Sequence, residues 1–240
     1  MITVRRSSER HYARREHRQL WSSFHAPRAG DSFALGFGVL ECFDEYRLDA
    51  KASLLVSPPL GFDVVSYVLT GVVASQHTSR QTAILRAGDF QRASGGTAGG
   101  LRQSNPSFSH ETHLLQLWLR HGTSHSARPP EQRRFSVAER RGALCLVAAG
   151  GAREAALRLQ EDVLIYSSVL NPGQHLVHEL GARRSAWLHV VHGEITCDDA
   201  VLQTGDAASF ALERAVSLTA CAPSEVLIVD LAHLASAAPI

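Results

Sequence analysis

Histidine is the residue whose abundance first suggests metal chemistry in this chain. The 240 residues include 13 histidines, and imidazole is the commonest protein ligand of transition metals. Two ligands on one face of a strand must be an even number of residues apart, because successive side chains point to opposite faces. His175 and His178 are three residues apart, and so are His189 and His192. These spacings do not predict a metal site built from neighbouring histidines.

Other short motifs of catalysis or metal binding are also missing from the sequence. It contains neither His-x-His nor His-Glu-x-x-His, and no Gly-x-Ser-x-Gly nucleophile turn. The glycine-rich segment Gly95–Gly100 lacks the Lys-Ser/Thr of a phosphate-binding loop. The four cysteines are widely spaced, with no Cys-x-x-Cys, so we expect reduced and unpaired thiols. No catalytic residue is predicted from motifs alone.

Charge is unevenly distributed along the chain. The whole sequence has a net charge of +1, but residues 1–28 hold seven arginines against Glu9 and Glu16. This pattern favours a basic first segment lying on a more acidic body. Nucleic acid is not an expected partner, because aromatic residues are not interleaved with the arginines as in a stacking platform. With no apolar run near the roughly 18 residues of a membrane span, we expect a cytoplasmic protein without membrane contacts.

The elements that would position a site are short strands. Apolar runs such as Val64–Leu69, Thr82–Leu85 and His113–Leu119 are bounded by glycine, proline, asparagine and aspartate. A strand ending at Gly71 is followed by Gly88-Asp89, and this pattern recurs at Gly193 and Gly205-Asp206. The repeat favours an all-β chain in which a small antiparallel β-barrel is duplicated.

Several longer motifs resemble those of one known family. They are Met1–Arg10, Tyr67–Gly71, Gly88–Thr97, Asn105–Ser107, His113–Trp118, Arg134-Phe135 and Ala138–Gly142. In combination they are similar to the pirin family of two-barrel proteins. The resemblance implies an all-β fold with two antiparallel cupin (jelly-roll) β-barrels in one chain. We predict an N-terminal barrel over residues 1–128 and a C-terminal barrel over 129–240, with a linker near Arg128-Pro129-Pro130.

The resemblance also implies where a metal would bind. Active pirins hold iron or another divalent metal in the first barrel, through a His-x-His before the Tyr-Val-Leu strand and a His-x-Glu after the Gly-Thr loop. In this sequence those four positions are Ser57, Pro59, Leu101 and Gln103. Proline and leucine have no donor atom in the side chain, and serine and glutamine are weak neutral donors. We therefore predict no metal and no cofactor.

The same alignment leaves a polar frame around the absent ligands. Ser57, Asp63 and Gln103 are predicted to line a pocket that binds a small molecule, with Asp63 at a position where the family has an acidic residue beside the metal. The expected function is that of a metal-free pirin-like protein that binds a small molecule or regulates a protein partner, without the family's catalysis.

Two alternatives remain open at this point. One is a metal-dependent oxidoreductase similar to quercetin 2,3-dioxygenase, which the family resemblance would suggest. The other is a transcription-associated cofactor that binds a protein, for which the basic charge of residues 1–28 is the supporting feature.

Overall fold

The protein is described by a computed structural model. The described residues are 1–24, 33–77, 82–96, 100–122, 128–151 and 156–232. Residues 97–99 of the glycine-rich segment and residues 123–127, just before the expected linker, lie outside this set. Residues 25–32 do so as well, and they include the last four residues of the arginine-rich segment. No helix in the described ranges is both long and apolar enough to cross a membrane.

The described chain is composed almost entirely of short strands, with a single turn of 3-10 helix at Ser7–Glu9 and a four-residue α-helix, α1 (Val137–Arg140). Ser136 caps this helix by accepting a hydrogen bond from the backbone of Glu139. The strands are β1 (Ile2–Arg5), β2 (His11–Arg15), β3 (Arg18–Ser22), β4 (Leu40–Leu48), β5 (Ser53–Val56), β6 (Phe62–Thr70), β7 (Val72–Gln76), β8 (Thr82–Arg86), β9 (Asp89–Ser94), β10 (Leu101–Ser104), β11 (Thr112–Arg120), β12 (Glu131–Arg134), β13 (Cys145–Gly150), β14 (Leu157–Leu159), β15 (Val163–Leu170), β16 (His175–Glu179), β17 (Arg184–His192), β18 (Glu194–Cys197), β19 (Ala200–Gln203), β20 (Ala207–Phe210), β21 (Ala215–Ala220) and β22 (Ser224–Ala232).

These strands form two barrels, each a seven-stranded sheet facing a four-stranded sheet. In the first barrel the order β12-β9-β6-β11-β4-β3-β2 faces β5-β10-β7-β8. In the second barrel the order β1-β20-β17-β22-β15-β13-β14 faces β16-β21-β18-β19. Among the named strands of the described residues, pairing is antiparallel except between β13 and β14. The expectation of an all-β chain with two antiparallel cupin barrels is confirmed.

Two strands lie in the barrel formed mainly by the other half of the chain. β1 pairs with β20, with Ile2 opposite Phe210, so the first strand completes the second barrel. β12 pairs with β9, with Glu131 opposite Arg92, so the chain after residue 128 still contributes an edge to the first barrel. The division at residues 128 and 129 stays a prediction.

The large sheet of the first barrel is buried on both faces. Along β6, Val64 and Val68 point into the barrel, whereas Val65 and Tyr67 point into a second core that lies between the two barrels. Trp187 is fully buried in this inter-barrel core. Such two-sided burial explains why the β6 sequence is continuously apolar apart from a few polar residues.

The Arg140–Glu225 ion pair of the second half binds Tyr67 of the first barrel at the edge of this inter-barrel core. The Arg140 Nη1 atom donates hydrogen bonds to Tyr67 Oη (2.6 Å), Glu225 Oε1 (2.7 Å) and Ser167 Oγ (3.1 Å). Burial, and then the neighbouring Glu225 carboxylate, raise the pKa of the Tyr67 phenol, so the tyrosine stays protonated. These contacts connect β6 of the first barrel with β15 and β22 of the second.

A second group of ionisable side chains lies between the barrels around His189. The His189 ring is buried against the Phe43 ring, with 4.4 Å between the ring centroids. Burial, together with the nearby positive charge of Arg10, lowers the pKa of His189 to about 3. Burial alone would raise the pKa of Glu45, but hydrogen bonds from His113 and Arg10 and their charges lower it to about 2. The folded protein therefore holds a neutral histidine and an ionised glutamate here.

These shifts predict how stability depends on pH. The folded-state pKa of His189 lies below its unfolded value of 6.5, so the unfolded chain takes up a proton that the folded chain does not. Stability is therefore lost as the pH falls from 6.5 towards 3. For His189→Gln we expect the slope of unfolding free energy against pH, between pH 6.0 and 5.0, to decrease by up to about 1.4 kcal/mol per pH unit. Urea denaturation at a series of pH values measures this slope.

The control for this measurement is His17→Gln, which removes an exposed histidine. We expect a smaller change in slope for His17→Gln than for His189→Gln. Equal slopes in the wild type and His189→Gln would contradict the assignment of a neutral buried imidazole. Glu45 adds a separate loss of stability at lower pH, as the pH falls from its unfolded pKa of 4.5 through about 2.

Candidate functional site

The interior of the first barrel contains a cluster of neutral polar side chains. Gln91, Ser66 and Gln116 lie side by side on the large sheet, on β9, β6 and β11, and Ser75 and Gln103 face them from β7 and β10. Each of these five side chains, called the amide cluster below, belongs to a residue that is at most 3% exposed. The corresponding interior of the second barrel contains a core of aliphatic and aromatic residues, with the buried carboxylate of Asp230 held by His178 and Arg184 on the same face of β22.

Three hydrogen bonds in the amide cluster link the two sheets. Gln116 Nε2 donates to Gln103 Oε1 at 2.5 Å, and Gln103 Nε2 donates to Ser66 Oγ at 3.0 Å. The Ser75 hydroxyl donates to Gln91 Oε1 at 2.6 Å. The buried Gln116 Oε1 atom has no hydrogen-bond partner in the described part of the chain. Both ends of the Gln103 amide are therefore hydrogen-bonded within the cluster, and the Gln116 carbonyl oxygen is left without a donor from the described residues.

A groove opens between the two sheets of the first barrel at one end of the amide cluster. It has a volume of about 500 Å³ and lies where β8 and β12 form the edges of the facing sheets. We call it the side groove. Its lining residues are Ser75, His77, Thr82, Ala83, Gln91, Pro129, Pro130, Glu131 and Gln132. The bonded pair Ser75 and Gln91 therefore forms a hydroxyl and amide floor under an accessible space.

His77 is the titratable group of the side groove that can exchange a proton near neutral pH. It directly follows β7, two residues after Ser75, and lines the same groove. Burial lowers the pKa of His77 below its usual value of 6.5, which keeps the imidazole neutral at pH 7. The Glu131 carboxylate is held by Arg92 Nη2 at 2.8 Å and by the backbone N–H of Arg158 at 3.0 Å. A neutral imidazole at this position can accept a proton from a bound molecule.

The structure does not bring the three predicted pocket residues together. Gln103 lies in the amide cluster, but Ser57 is exposed in the connection between β5 and β6. Asp63 is buried on the opposite face of β6, where it accepts hydrogen bonds from Ser94 Oγ at 3.2 Å and from the backbone N–H of Gln160 at 2.8 Å. The reason is strand alternation: odd-numbered residues of β6 face the second barrel and even-numbered residues face the interior.

The four positions that correspond to the family's ligands do not fit a first-row metal ion. Pro59 is exposed, Leu101 is a buried apolar side chain, and Gln103 is hydrogen-bonded at both ends. Within the described ranges, no group of three or more His, Cys, Asp or Glu side chains is placed to hold a metal. Such an ion needs three or four good donors, and these positions supply none.

Sequence reasoning missed most of the residues that form this site. The predicted pocket did not include Ser66, Ser75, Gln91, Gln116 or His77. A usable signal existed for Gln116, which interrupts the apolar run His113–Leu119, and for Ser66, which interrupts Val64–Leu69. A polar residue inside a doubly buried strand needs a hydrogen-bond partner, and this requirement points to a cluster in the interior.

The chain is similar to known proteins over nearly its whole length. Residues 146–231 match the family model described as the quercetinase C-terminal cupin domain. Quercetin 2,3-dioxygenase of Escherichia coli K12 is 30% identical over 233 residues, which cover 96% of this chain and 99% of that protein. The crystal structure of YhhW from Escherichia coli has a TM-score of 0.85 at 30% identity, with 98% of this chain and 99% of that chain covered.

A further solved structure shows bacterial pirin YhhW from Escherichia coli in complex with nickel(II). It has a TM-score of 0.85 at 29% identity and covers 98% of this chain and all of that chain.

These comparisons overturn the predicted function. The expectation of a metal-free binding or regulatory protein, without the family's catalysis, is wrong in their light. Full-length relatives are named quercetin 2,3-dioxygenase, and a solved relative binds nickel(II). They favour the alternative of a dioxygenase-like oxidoreductase. The error arose because the function of the whole chain was inferred from four residue positions.

Restoring the family's donors tests how these four positions relate to metal binding. The variant Ser57→His/Pro59→His/Leu101→His/Gln103→Glu places three imidazoles and one carboxylate at the four positions that align with the family's ligands. After dialysis we expect it to retain more nickel than the wild type, approaching about one ion per chain, because it supplies the four donors that such a site needs. Elemental analysis measures the retained metal, and circular dichroism checks the fold.

The matched control is the single variant Gln103→Glu, which adds a carboxylate without the imidazoles. We expect it to retain no more nickel than the wild type. The donor analysis would be contradicted if the wild type retained as much nickel at these positions as the folded four-residue variant.

Proposed function

We propose that this chain, which belongs to the pirin family of two-barrel cupin proteins, is an oxidoreductase of the quercetin 2,3-dioxygenase type that acts on a flavonol-like aromatic substrate. The observation that carries the proposal is the match with quercetin 2,3-dioxygenase of Escherichia coli K12, which extends over 96% of this chain. A match of this extent includes both barrels.

The side groove supports the proposal as a substrate site. Its volume of about 500 Å³ falls within the roughly 300–1,000 Å³ of typical small-molecule sites. The floor offers the Ser75 hydroxyl and the Gln91 amide, which can hydrogen-bond to the phenolic hydroxyl and carbonyl groups of a flavonol. Pro129, Pro130 and Ala83 provide apolar walls for the flat rings.

His77 gives the side groove a proton acceptor. In the proposed reaction its neutral imidazole takes the proton of a phenolic hydroxyl as the substrate binds. The resulting phenolate is richer in electrons than the phenol and reacts more readily with dioxygen. Ser75 and Gln91 would orient the substrate so that this hydroxyl faces His77.

The nickel(II) ion belongs to the solved Escherichia coli relative. Because Ser57, Pro59, Leu101 and Gln103 do not form a metal-binding donor set, the steps proposed for this chain use its own side chains. The activity assay described next therefore also measures whether turnover by this chain depends on added metal.

Quercetin consumption tests the reaction class directly. The wild type is assayed as purified, after treatment with a chelator, and with nickel(II) or iron(II) added. We expect loss of the flavonol absorbance together with uptake of dioxygen, at a rate above that of a protein-free control in at least one arm. Absence of protein-dependent oxygen uptake in every arm, with quercetin and related flavonols, would overturn the proposed reaction.

The variant His77→Gln tests the proton acceptor. We expect kcat for quercetin at pH 7 to fall by about 10²-fold, because general-base catalysis typically contributes that much or more, with a smaller change in KM. In the wild type, the acidic limb of the pH profile should lie below the usual imidazole range, since burial lowers the pKa of His77.

The control for this variant is His110→Gln, which changes an exposed histidine in the loop between β10 and β11 that does not line the side groove. We expect it to keep the wild-type kcat. Full activity in His77→Gln would show that His77 is not the proton acceptor. The reaction class itself would still be decided by the oxygen-uptake assay.

A further inference from the structure

A second groove lies at the opposite edge of the same large sheet. The β2–β3 hairpin forms this edge, six strand positions away from β12 and the side groove. Ala13 pairs with Leu20, Arg15 pairs with Arg18, and Leu20 also pairs with Tyr46 of β4. Paired residues in an antiparallel sheet point to the same side, so these five side chains share one face.

Two cavities adjoin on this face and differ in character. The first, of about 340 Å³, includes Ala13, Leu20 and Tyr46 in its lining, and the second, of about 650 Å³, includes Lys51. Arg15 and Arg18 line both of them. Together they form a hairpin groove with an apolar half and a cationic half.

The charges around the cationic half are mostly positive. The Arg15 side chain makes no hydrogen bond or ion pair with the described residues. The Arg18 side chain makes one long contact, 3.4 Å from Nη1 to the Ser53 carbonyl. Lys51 Nζ is positioned by the Pro106 carbonyl at 2.8 Å and by the Phe108 ring at 3.1 Å. Three cations therefore converge on one space, each with capacity left to bind an anion.

The negative groups near the groove do not neutralise these cations. Glu16 lines the cationic half at the exposed hairpin turn. Asp49 lies 3.6 Å from His17. Asp44, beside the apolar half, accepts a hydrogen bond from the Tyr46 hydroxyl at 2.9 Å. One carboxylate thus faces the three cations from the lining itself, which leaves a net positive charge.

We propose that the hairpin groove binds a small amphipathic anion, with a carboxylate or phosphate head between Arg15, Arg18 and Lys51. The apolar body of the ligand lies over Leu20 and Tyr46. This site is independent of the proposed oxidoreductase reaction, because it shares no lining residue with the side groove.

The arrangement of the aromatic residues favours such a ligand over a nucleic acid. Tyr12 and Trp21, which could stack on bases, lie on the other face of the hairpin, with 5.1 Å between their ring centroids. Arg47 covers the Trp21 ring from 5.7 Å. Arg15 and Arg18 are therefore separated from the Tyr12–Trp21 pair by the hairpin itself, and the two rings near the groove, Tyr46 and Phe108, are already engaged by Asp44 and Lys51.

Isothermal titration calorimetry with decanoate and with decyl phosphate tests this proposal. We expect both anions to bind the wild type saturably at one site, and decanol and inorganic phosphate to bind at least about tenfold more weakly, since a loss of 1.4 kcal/mol corresponds to that factor. The two anions distinguish a carboxylate source from a phosphate ester source.

Variants of the hairpin locate the binding. We expect Arg15→Gln/Arg18→Gln to weaken decanoate binding by about tenfold or more, which corresponds to the loss of one or two charge-assisted contacts. The matched control is Arg14→Gln, which removes an exposed arginine from the opposite face of the same strand and should leave the affinity near the wild-type value. Ala13→Phe keeps both arginines but fills the apolar half, and should also abolish tight binding of decanoate.

Several results would overturn the proposal. These are the absence of saturable decanoate binding to the wild type, binding of decanol as tight as that of decanoate, and an equal loss of affinity in Arg14→Gln. Unchanged affinity in folded Ala13→Phe would exclude the apolar half. Tighter binding of a thymidine oligonucleotide than of either anion would assign the surface to nucleic acid instead.

Discussion

The burial of both faces of the first barrel's large sheet is the constraint on which the rest of this structure depends. One face closes the barrel over the four-stranded sheet, and the other packs against the second barrel through a core that includes Trp187. Whether a residue of β6 has an even or an odd number therefore decides whether its side chain points into the first barrel or into the core between the barrels. Val65 and Tyr67 serve the contact between barrels, whereas Ser66 serves the interior of the first barrel.

The first barrel combines an apolar interior with the five neutral polar side chains of the amide cluster, whereas the second barrel has a mainly apolar interior with Asp230 bonded to His178 and Arg184. Burying amide groups is costly unless they are paired, by roughly 1–3 kcal/mol for each unsatisfied group. Gln103, Ser66 and Gln91 meet this demand through bonds that cross between the two sheets. The Gln116 Oε1 atom has no hydrogen-bond donor among the described residues and is the unsatisfied acceptor of the cluster. The cluster ends at the side groove, where the same hydroxyl and amide groups become available to a ligand.

The sequence was sufficient for the fold but only partly sufficient for the site. Short apolar runs ended by glycine turns predicted the strands, and the family motifs predicted two cupin barrels. Gln103 was predicted to line a ligand pocket, and the structure places it in the amide cluster, hydrogen-bonded to Ser66 and Gln116. Asp63 was assigned to the same pocket because the family has an acidic residue beside the metal at that position, but strand alternation along β6 points its side chain to the second barrel. His77 carries no motif, and its role depends on a groove between sheets that only tertiary structure forms.

A crystal structure of the protein soaked with quercetin in the absence of dioxygen would test the central claim most directly, namely that the substrate site is the side groove at the end of the amide cluster. The account predicts that the flavonol lies between Ser75, Gln91 and Pro129-Pro130, with a phenolic hydroxyl within hydrogen-bond distance of His77. A flavonol bound instead beside Ser57 and Leu101, or elsewhere on the protein with the side groove empty, would contradict it.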